Sequence, residues 1–379
     1  MILFLHNRYR VPGGEERVVA GLRWLVETEL GEATEEIVRD SGSLGRSQAA
    51  ASLLAGGARS REVGEAVRRT RARVLHAHNT GPTFGWRALA AAHASGARVV
   101  LHLHNYRLVC AVGVCFTAGQ ECTRCHGRDT LPGLLHGCRG SRVEGAVYAG
   151  ALALWQHRLT AQADAVIVPS AFAAARLREL GAPLPWERVH VVPPPVRAFA
   201  EGSRAGHGRH ALVASRLAPE KGVEVAIDAC REIGLALVVA GDGPERPALE
   251  RHARATGAQV QFLGSVDPAQ LKRLRDDAAL AIVPSRSAET FGLAAAEAMA
   301  AGLPVAATAV GALPELVPAE GLAAGGSAHA LAQVARRLAG DEQAGERALA
   351  AVRALLAPDR VAESLRRAYA PAAPTAGRG

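Results

Sequence analysis

The feature that most restricts this chain is an alternation of short apolar runs with longer helical patterns, made twice. Residues 2–5, 74–77, 98–103 and 165–168 read as short buried strands, with helices over 15–29, 86–95, 152–163 and 171–180. Short strands separated by helices require a parallel, doubly wound sheet covered on both faces. The alternation stops at Val-Val-Pro-Pro-Pro-Val (191–196), where three prolines stiffen the chain and cannot continue a sheet. It then restarts, with strands at 211–214, 235–240 and 260–263 and a run ending at Val283. Helices are expected over 223–233, 247–256, 267–276, 331–338 and 341–356. The expected architecture is α/β: two Rossmann-like doubly wound domains facing each other across a cleft. The first spans 1–192 with a Cys-rich insertion over 105–145, a linker covers 193–209, and the second domain spans 210–356. A helix over 357–370 is expected to cross back to the first domain, and 371–379 to form a disordered tail.

A length of 379 residues also exceeds what one ordinary core accommodates. About half the chain, 49%, is apolar, yet no stretch is long enough to cross a bilayer. The apolar start leads straight into His6, Asn7 and Arg8, whereas a secretory signal places positive charge first, so a cytoplasmic protein is expected. The net charge of +8 invites a nucleic-acid reading. The basic residues, however, are mostly arginines scattered through Ala-rich helices, without a basic stripe or interleaved aromatics, so no nucleic-acid partner is expected. A compositional habit favouring Ala and Arg is the leading account of the charge, with anionic donors or an anionic membrane face as the alternatives.

Four motifs carry chemistry. Pro12-Gly13-Gly14-Glu15 follows the first strand and lets backbone approach a ligand closely, although a tight turn alone would need one glycine. In Ser215-Arg216-Leu217-Ala218-Pro219-Glu220-Lys221-Gly222, Arg216 and Lys221 sit at the carboxyl end of a strand, where two cations suit a departing nucleoside diphosphate. Gly241-Asp242-Gly243-Pro244 is a turn that lines the cleft by position. The stretch from Ile282 to Val305 holds Glu289 in a loop and Glu297 in the second turn of a helix. Between them, Phe291, Gly292 and Leu293 offer unpaired N–H groups at a helix N-terminus, a seat for phosphate or a sugar hydroxyl. By spacing alone the two glutamates could equally be solvated helix residues. There is no Gly-x-Gly-x-x-Gly after a strand and no Walker-type loop, which excludes the common dinucleotide and P-loop readings.

These motifs, in this order, with Glu289-x7-Glu297 preceded by Pro-Ser and followed by Gly-Leu-Pro-Val, resemble the retaining glycosyltransferases of family 4. The resemblance covers nearly the whole chain and implies the GT-B fold, with the donor held mainly by the second domain and the acceptor by the first. It further implies that Arg216 and Lys221 hold the donor diphosphate, Glu297 the ribose hydroxyls and Glu289 the transferred sugar. Backbone groups at Gly13, Gly14, Gly241 and Phe291 to Leu293 would complete the contacts. His104 stands where the family usually reads His-Asp, with the histidine on the transferred sugar; here the next residue is Asn105, so the imidazole lacks a neighbouring carboxylate. His102 reads as a packed or supporting histidine.

Five cysteines cluster in the insertion. Cys110, Cys122, Cys125 and Cys138 have spacings suited to a tetrahedral structural zinc site, and Cys115 lies among them. Zinc, reduced thiols and disulfides stay open, and the cluster resembles a subset of family 4. The insertion, beside the acceptor cleft, is the expected source of acceptor choice. The expected activity is retaining transfer of a sugar from a nucleotide diphosphate sugar to a hydroxyl acceptor (a glycan, a lipid-linked group or a natural product), with no metal or other cofactor needed for catalysis. The alternatives are an epimerase or hydrolase on the same fold, and a basic module that binds a polyanion without turnover.

Overall fold

A computed structural model describes residues 1–8 and 13–371. Pro12 of the first motif and residues 372–379 of the expected tail lie outside the described residues. The first half contains β1 (Ile2–Arg8), β2 (Thr34–Asp40), β3 (Val74–Ala77), β4 (Arg98–His102), a small hairpin of β5 (Phe116–Thr117) and β6 (Gln120–Glu121), then β7 (Ala165–Val168) and β8 (Val189–Val191). Six of these form a parallel sheet in the order β2-β1-β3-β4-β7-β8. Between them run α1 (Gly14–Glu29), α2 (Arg46–Leu54), α3 (Ser60–Thr70), α4 (Gly85–Ala94), α5 (Leu131–Leu135), α6 (Arg142–Ala161) and α7 (Ala171–Glu179). β3 and β7 are buried along their whole length, as continuous apolar runs between two helical layers must be.

The second half repeats the scheme with β9 (His210–Ala214), β10 (Leu237–Ala240), β11 (Val260–Gly264), β12 (Ala278–Val283), β13 (Val305–Thr308) and β14 (Leu322–Ala323), in the order β11-β10-β9-β12-β13-β14. Its helices are α8 (Val223–Ile233), α9 (Arg246–Thr256), α10 (Pro268–Asp276), α11 (Leu293–Ala300), α12 (Leu313–Leu316), α13 (Ala328–Leu338) and α14 (Glu342–Leu356). In each sheet the strand order reverses once, beside β1 and β3 in the first and beside β9 and β12 in the second. Parallel sheets bind ligands at such reversals, beyond the carboxyl ends of the strands.

Hydrophobic patterning does not announce β2 or β8. The sequence Thr-Glu-Glu-Ile-Val-Arg-Asp is half exposed throughout β2, and both strands lie at the edges of the sheet, where only one side needs apolar cover. The last helix, α15 (Pro358–Tyr369), lies against the first sheet. Its buried stripe of Val361, Ala362, Leu365, Ala368 and Tyr369 joins Phe4, Leu22, Val74, Val100 and Ile167 in one apolar cluster. The helix closes a face of the sheet that the first half leaves open.

Candidate active site

The loop after β9 turns through a short 3-10 segment, Pro219–Lys221, and brings two cations back towards the strand end. Arg216 pairs with the buried carboxylate of Glu220, and the Glu220 carbonyl accepts the N–H groups of Arg286 (2.9 Å) and Ser287 (3.3 Å) from the loop after β12. The two loops are thereby held together. Lys221 Nζ donates to Glu289 Oε1 at 2.6 Å, and Ser285 Oγ donates to the same oxygen at 2.6 Å. Burial acts to raise the Glu289 carboxyl, but the charge and hydrogen bond of Lys221, the Ser285 hydroxyl and the field of Arg216 outweigh it. Glu289 is therefore held below the ordinary carboxylate range and stays ionised. Gly241, at the end of β10, donates its N–H to the carbonyl of Gly264 at 2.8 Å, which fixes the neighbouring loop.

Beyond Glu289 the chain enters α11 through Gly292, which caps the helix at φ 99, a left-handed conformation costly for any residue with a Cβ. A Cβ there would also stand 2.6 Å from Leu313 Cδ2. As first-turn groups, the N–H groups of Phe291 to Leu293 have no helical acceptor. Glu297, one turn further on, is not free. Arg17 of α1 reaches across to it at 2.8 Å, and Arg275 of α10 holds its other oxygen at 2.5 Å. Neither arginine stands out in the sequence, because nothing local links residue 17 to residue 297.

Several contacts join the walls of the cleft. Thr290 Oγ1 donates to the His104 carbonyl at 2.9 Å, and Ser170 Oγ donates to the Thr290 carbonyl at 2.7 Å. Glu315 accepts the N–H groups of Ala171 and Phe172 at the start of α7, at 3.1 and 2.5 Å. Gly14 meets Leu293 so closely that a Cβ would stand 2.6 Å from Leu293 Cδ1. The Gly13 N–H, expected to face a ligand, instead donates to Glu16 Oε2 at 2.9 Å, because a glutamate three residues into a helix folds back on its cap.

On the first sheet, histidines gather at the strand ends. His78 Nδ1 and His104 Nε2 lie 2.8 Å apart, and His76 Nε2 and His102 Nδ1 lie 3.1 Å apart. The two pairs stack on one another, His76 on His78 at 4.3 Å between ring centres and His102 on His104 at 4.1 Å. His76 Nδ1 also meets the Tyr369 hydroxyl at 2.7 Å, so the returning helix α15 reaches this array. Burial lowers all four imidazoles, His76 and His104 to about 3, with His6 adding to the effect at His104 and Glu16 opposing it. They are neutral at pH 7. Asn105, which replaces the family's aspartate, accepts the N–H of Arg107 at 2.9 Å. The sequence signal for the array was His76-x-His78 and His102-x-His104, a spacing that puts both members of each pair on one face of a strand.

Cys110, Cys122, Cys125 and Cys138, with Cys115, line one cavity of about 20 Å³, room for a single water or ion. Among the described residues the groups with three ligand atoms within 4.8 Å of one another include His76, His78 and His102 but no set of these cysteines. The Gly113 N–H donates to Cys110 Sγ at 3.3 Å, Cys138 Sγ donates to Thr117 Oγ1 at 3.7 Å, and Arg124 donates to Cys122 Sγ at 3.4 Å. The insertion also touches the second domain. Arg286 Nη2 donates to the Gly119 carbonyl of the β5–β6 hairpin at 2.7 Å and lies 5.7 Å from the Phe116 ring centre.

Residues 8–195 match the family described as "Glycosyl transferase 4-like domain", and residues 198–353 match "Glycosyl transferases group 1". A GDP-mannose-dependent alpha-(1-6)-phosphatidylinositol dimannoside mannosyltransferase of Mycobacterium tuberculosis is 36% identical over 130 residues, which is 32% of this chain and 33% of that protein. The chain thus matches about a third of that relative's length. Among solved structures, sucrose-phosphate synthase of Thermosynechococcus elongatus superposes with a TM-score of 0.69 at 19% identity, covering 97% of this chain and 98% of the other. The Anabaena protein HepE, solved with UDP and glucose, gives 0.63 at 19%, with the same coverage. The first match ends and the second begins within 193–209, so the halves recognised by sequence are the two sheets of the fold, and the chain belongs to the GT-B glycosyltransferases of the family 4 type.

Proposed function

We propose that this protein transfers a glycosyl group from a nucleoside diphosphate sugar to a hydroxyl acceptor, with retention and without a catalytic metal. The observation that carries the reading is the cluster of Lys221, Glu289, Ser285 and Arg216 at the reversal point of the second sheet, opposite His104. Arg216 and Lys221 would receive the diphosphate, whose leaving oxygen gains charge as the glycosidic bond breaks. Glu289, ionised and anchored by Ser285, would accept hydroxyls of the transferred sugar once the diphosphate draws Lys221 away. Glu297 would take the ribose hydroxyls in place of Arg17, and the first-turn N–H groups of α11 would face the sugar or phosphate. The leaving phosphate would draw off the acceptor proton on the face it departs from, which accounts for retention without a nucleophilic carboxylate.

The acceptor side is the first domain. A lipid-linked acceptor at an anionic membrane surface is supported by exposed apolar side chains on α5 and α6, Leu135 at 75% and Val143 at 74%, with Leu131 and Leu154 nearby on the same helices. The mycobacterial relative's name likewise specifies a phosphatidylinositol acceptor. The test is a panel of UDP-, GDP-, ADP- and dTDP-sugars scored by calorimetry, with mass spectrometry of products formed on glycan and lipid acceptors. Binding of one nucleotide class and a product heavier by one sugar are expected. No nucleoside diphosphate binding at all would overturn the assignment, and sugar release to water alone would favour a hydrolase.

A further inference from the structure

His104 is the outermost member of the histidine array and the one that is partly exposed; His76, His78 and His102 are buried. The ligand atoms of His76, His78 and His102 lie within 4.8 Å of one another. His76 has both ring nitrogens engaged, one with Tyr369 and one with His102. It has no lone pair to offer an ion without breaking one of these bonds.

The direction of each bond follows from what is left over. His78 Nε2 and His102 Nε2 are buried and have no partner. A buried N–H without an acceptor costs more than a bare ring nitrogen, and orphaned N–H groups are the rarer case in folded proteins. The proton of His78 therefore sits on Nδ1, which donates to His104 Nε2 across 2.8 Å. His104 is neutral and carries one proton, which this bond places on Nδ1. The His76–His102 pair meets the buried Tyr369 hydroxyl, which can itself donate to His76 Nδ1, so the same rule does not fix its direction.

We infer that His78 is a positioning residue that fixes His104 as its Nδ1–H tautomer, so that a neutral imidazole presents a hydrogen-bond donor, never an acceptor, to an oxygen of the bound sugar or diphosphate. His78 takes the orienting role that a carboxylate beside the histidine would otherwise fill, and for which Asn105, bonded to Arg107, is not free. A carboxylate would raise the basicity of the imidazole, whereas a second neutral imidazole leaves it neutral and favours electrostatic support over proton transfer. The tautomer stands on the array geometry alone; its consequence for sugar transfer rests on the transferase reading of the same cleft.

The experiment is imidazole 15N NMR of protein labelled at histidine, without any ligand. His104, assigned by its loss in His104→Gln, is expected to show Nδ1 as the protonated nitrogen near pH 7. In His78→Leu the Nε2–H form should appear, and His78→Asn, whose amide N–H replaces that of Nδ1, should restore the wild-type signal. In turnover assays His78→Leu should lower kcat about ten-fold with KM changed less than about three-fold, and His78→Asn should recover most of the loss. An Nε2–H signal for His104 in the wild type would overturn the inference whatever the activity. Equal kcat losses in His78→Leu and His78→Asn, with the His104 tautomer unchanged in both, would reduce His78 to a packing role.

Discussion

Lys221 and Glu289 neutralise one another across 2.6 Å, and the same pairing would set how the site responds to a donor. On the proposed reading, a diphosphate would compete with Glu289 for Lys221 and bring a sugar to the carboxylate it releases. Lys221→Ala should lower kcat/KM by about 10²- to 10³-fold, the range for removing one group that stabilises developing charge, as measured by initial rates on the preferred donor. Arg17 acts in the opposite sense. It occupies Glu297 from the facing domain, and its side chain is 58% exposed, so the pair is weak and readily displaced. Arg17→Ala should tighten nucleoside diphosphate binding about two- to five-fold by calorimetry, and weaker binding would show that Arg17 itself contacts the nucleotide.

At the scale of elements, much was legible where one segment carries its own pattern. The run into Val283, the loop to Thr290 and the helix stopped by Gly302 can be read directly, because buried parallel strands are continuous apolar runs and Gly and Pro punctuate them. The polar edge strand β2 left no such trace. The two His-x-His pairs are visible in the sequence but their meeting is not, since pairing His78 with His104 needs the register of β3 against β4, which places His76 beside Val100. The pairing of Glu297 with Arg17 and Arg275 was not legible either, because their proximity is a property of the fold. The helix α15 supplies a clear test of packing. Leu365 is fully buried in the cluster beneath the first sheet, so Leu365→Ala should cost about 2–5 kcal/mol in urea unfolding, and a cost below about 1 kcal/mol would mean the helix is not docked in solution. The cysteine insertion is tested by metal analysis. The donor type and the cavity suit zinc, but no three of the sulfurs lie within 4.8 Å of one another, so a zinc site requires them to draw closer. About one equivalent of zinc, lost in Cys122→Ser, would support that rearrangement; less than about half an equivalent, with five thiols titratable on unfolding besides Cys230, would exclude it.

For the whole molecule, the histidine array links stability to pH. His76 and His104 titrate near 3 in the folded protein against an ordinary value of 6.5, and His78 and His102 are lowered in the same sense. Between these values the unfolded chain binds more protons than the folded one, so stability rises with pH across that window and is complete above about 6.5. Each histidine contributes a slope approaching about 1.4 kcal/mol per pH unit. Thermal unfolding should give a lower Tm at pH 5.5 than at pH 7.5, and an equal or higher one would contradict the buried neutral array. The two sheets and their reversal points place the Lys221–Glu289 pair and His104 on facing walls, and the account depends on these walls acting together on a donor. The most direct measurement is nucleotide-sugar turnover by the wild type and by Glu289→Gln, on the donor that calorimetry selects. The prediction is a loss of at least about 10²-fold in kcat with donor affinity within about three-fold of wild type. Undiminished turnover by Glu289→Gln would contradict the site.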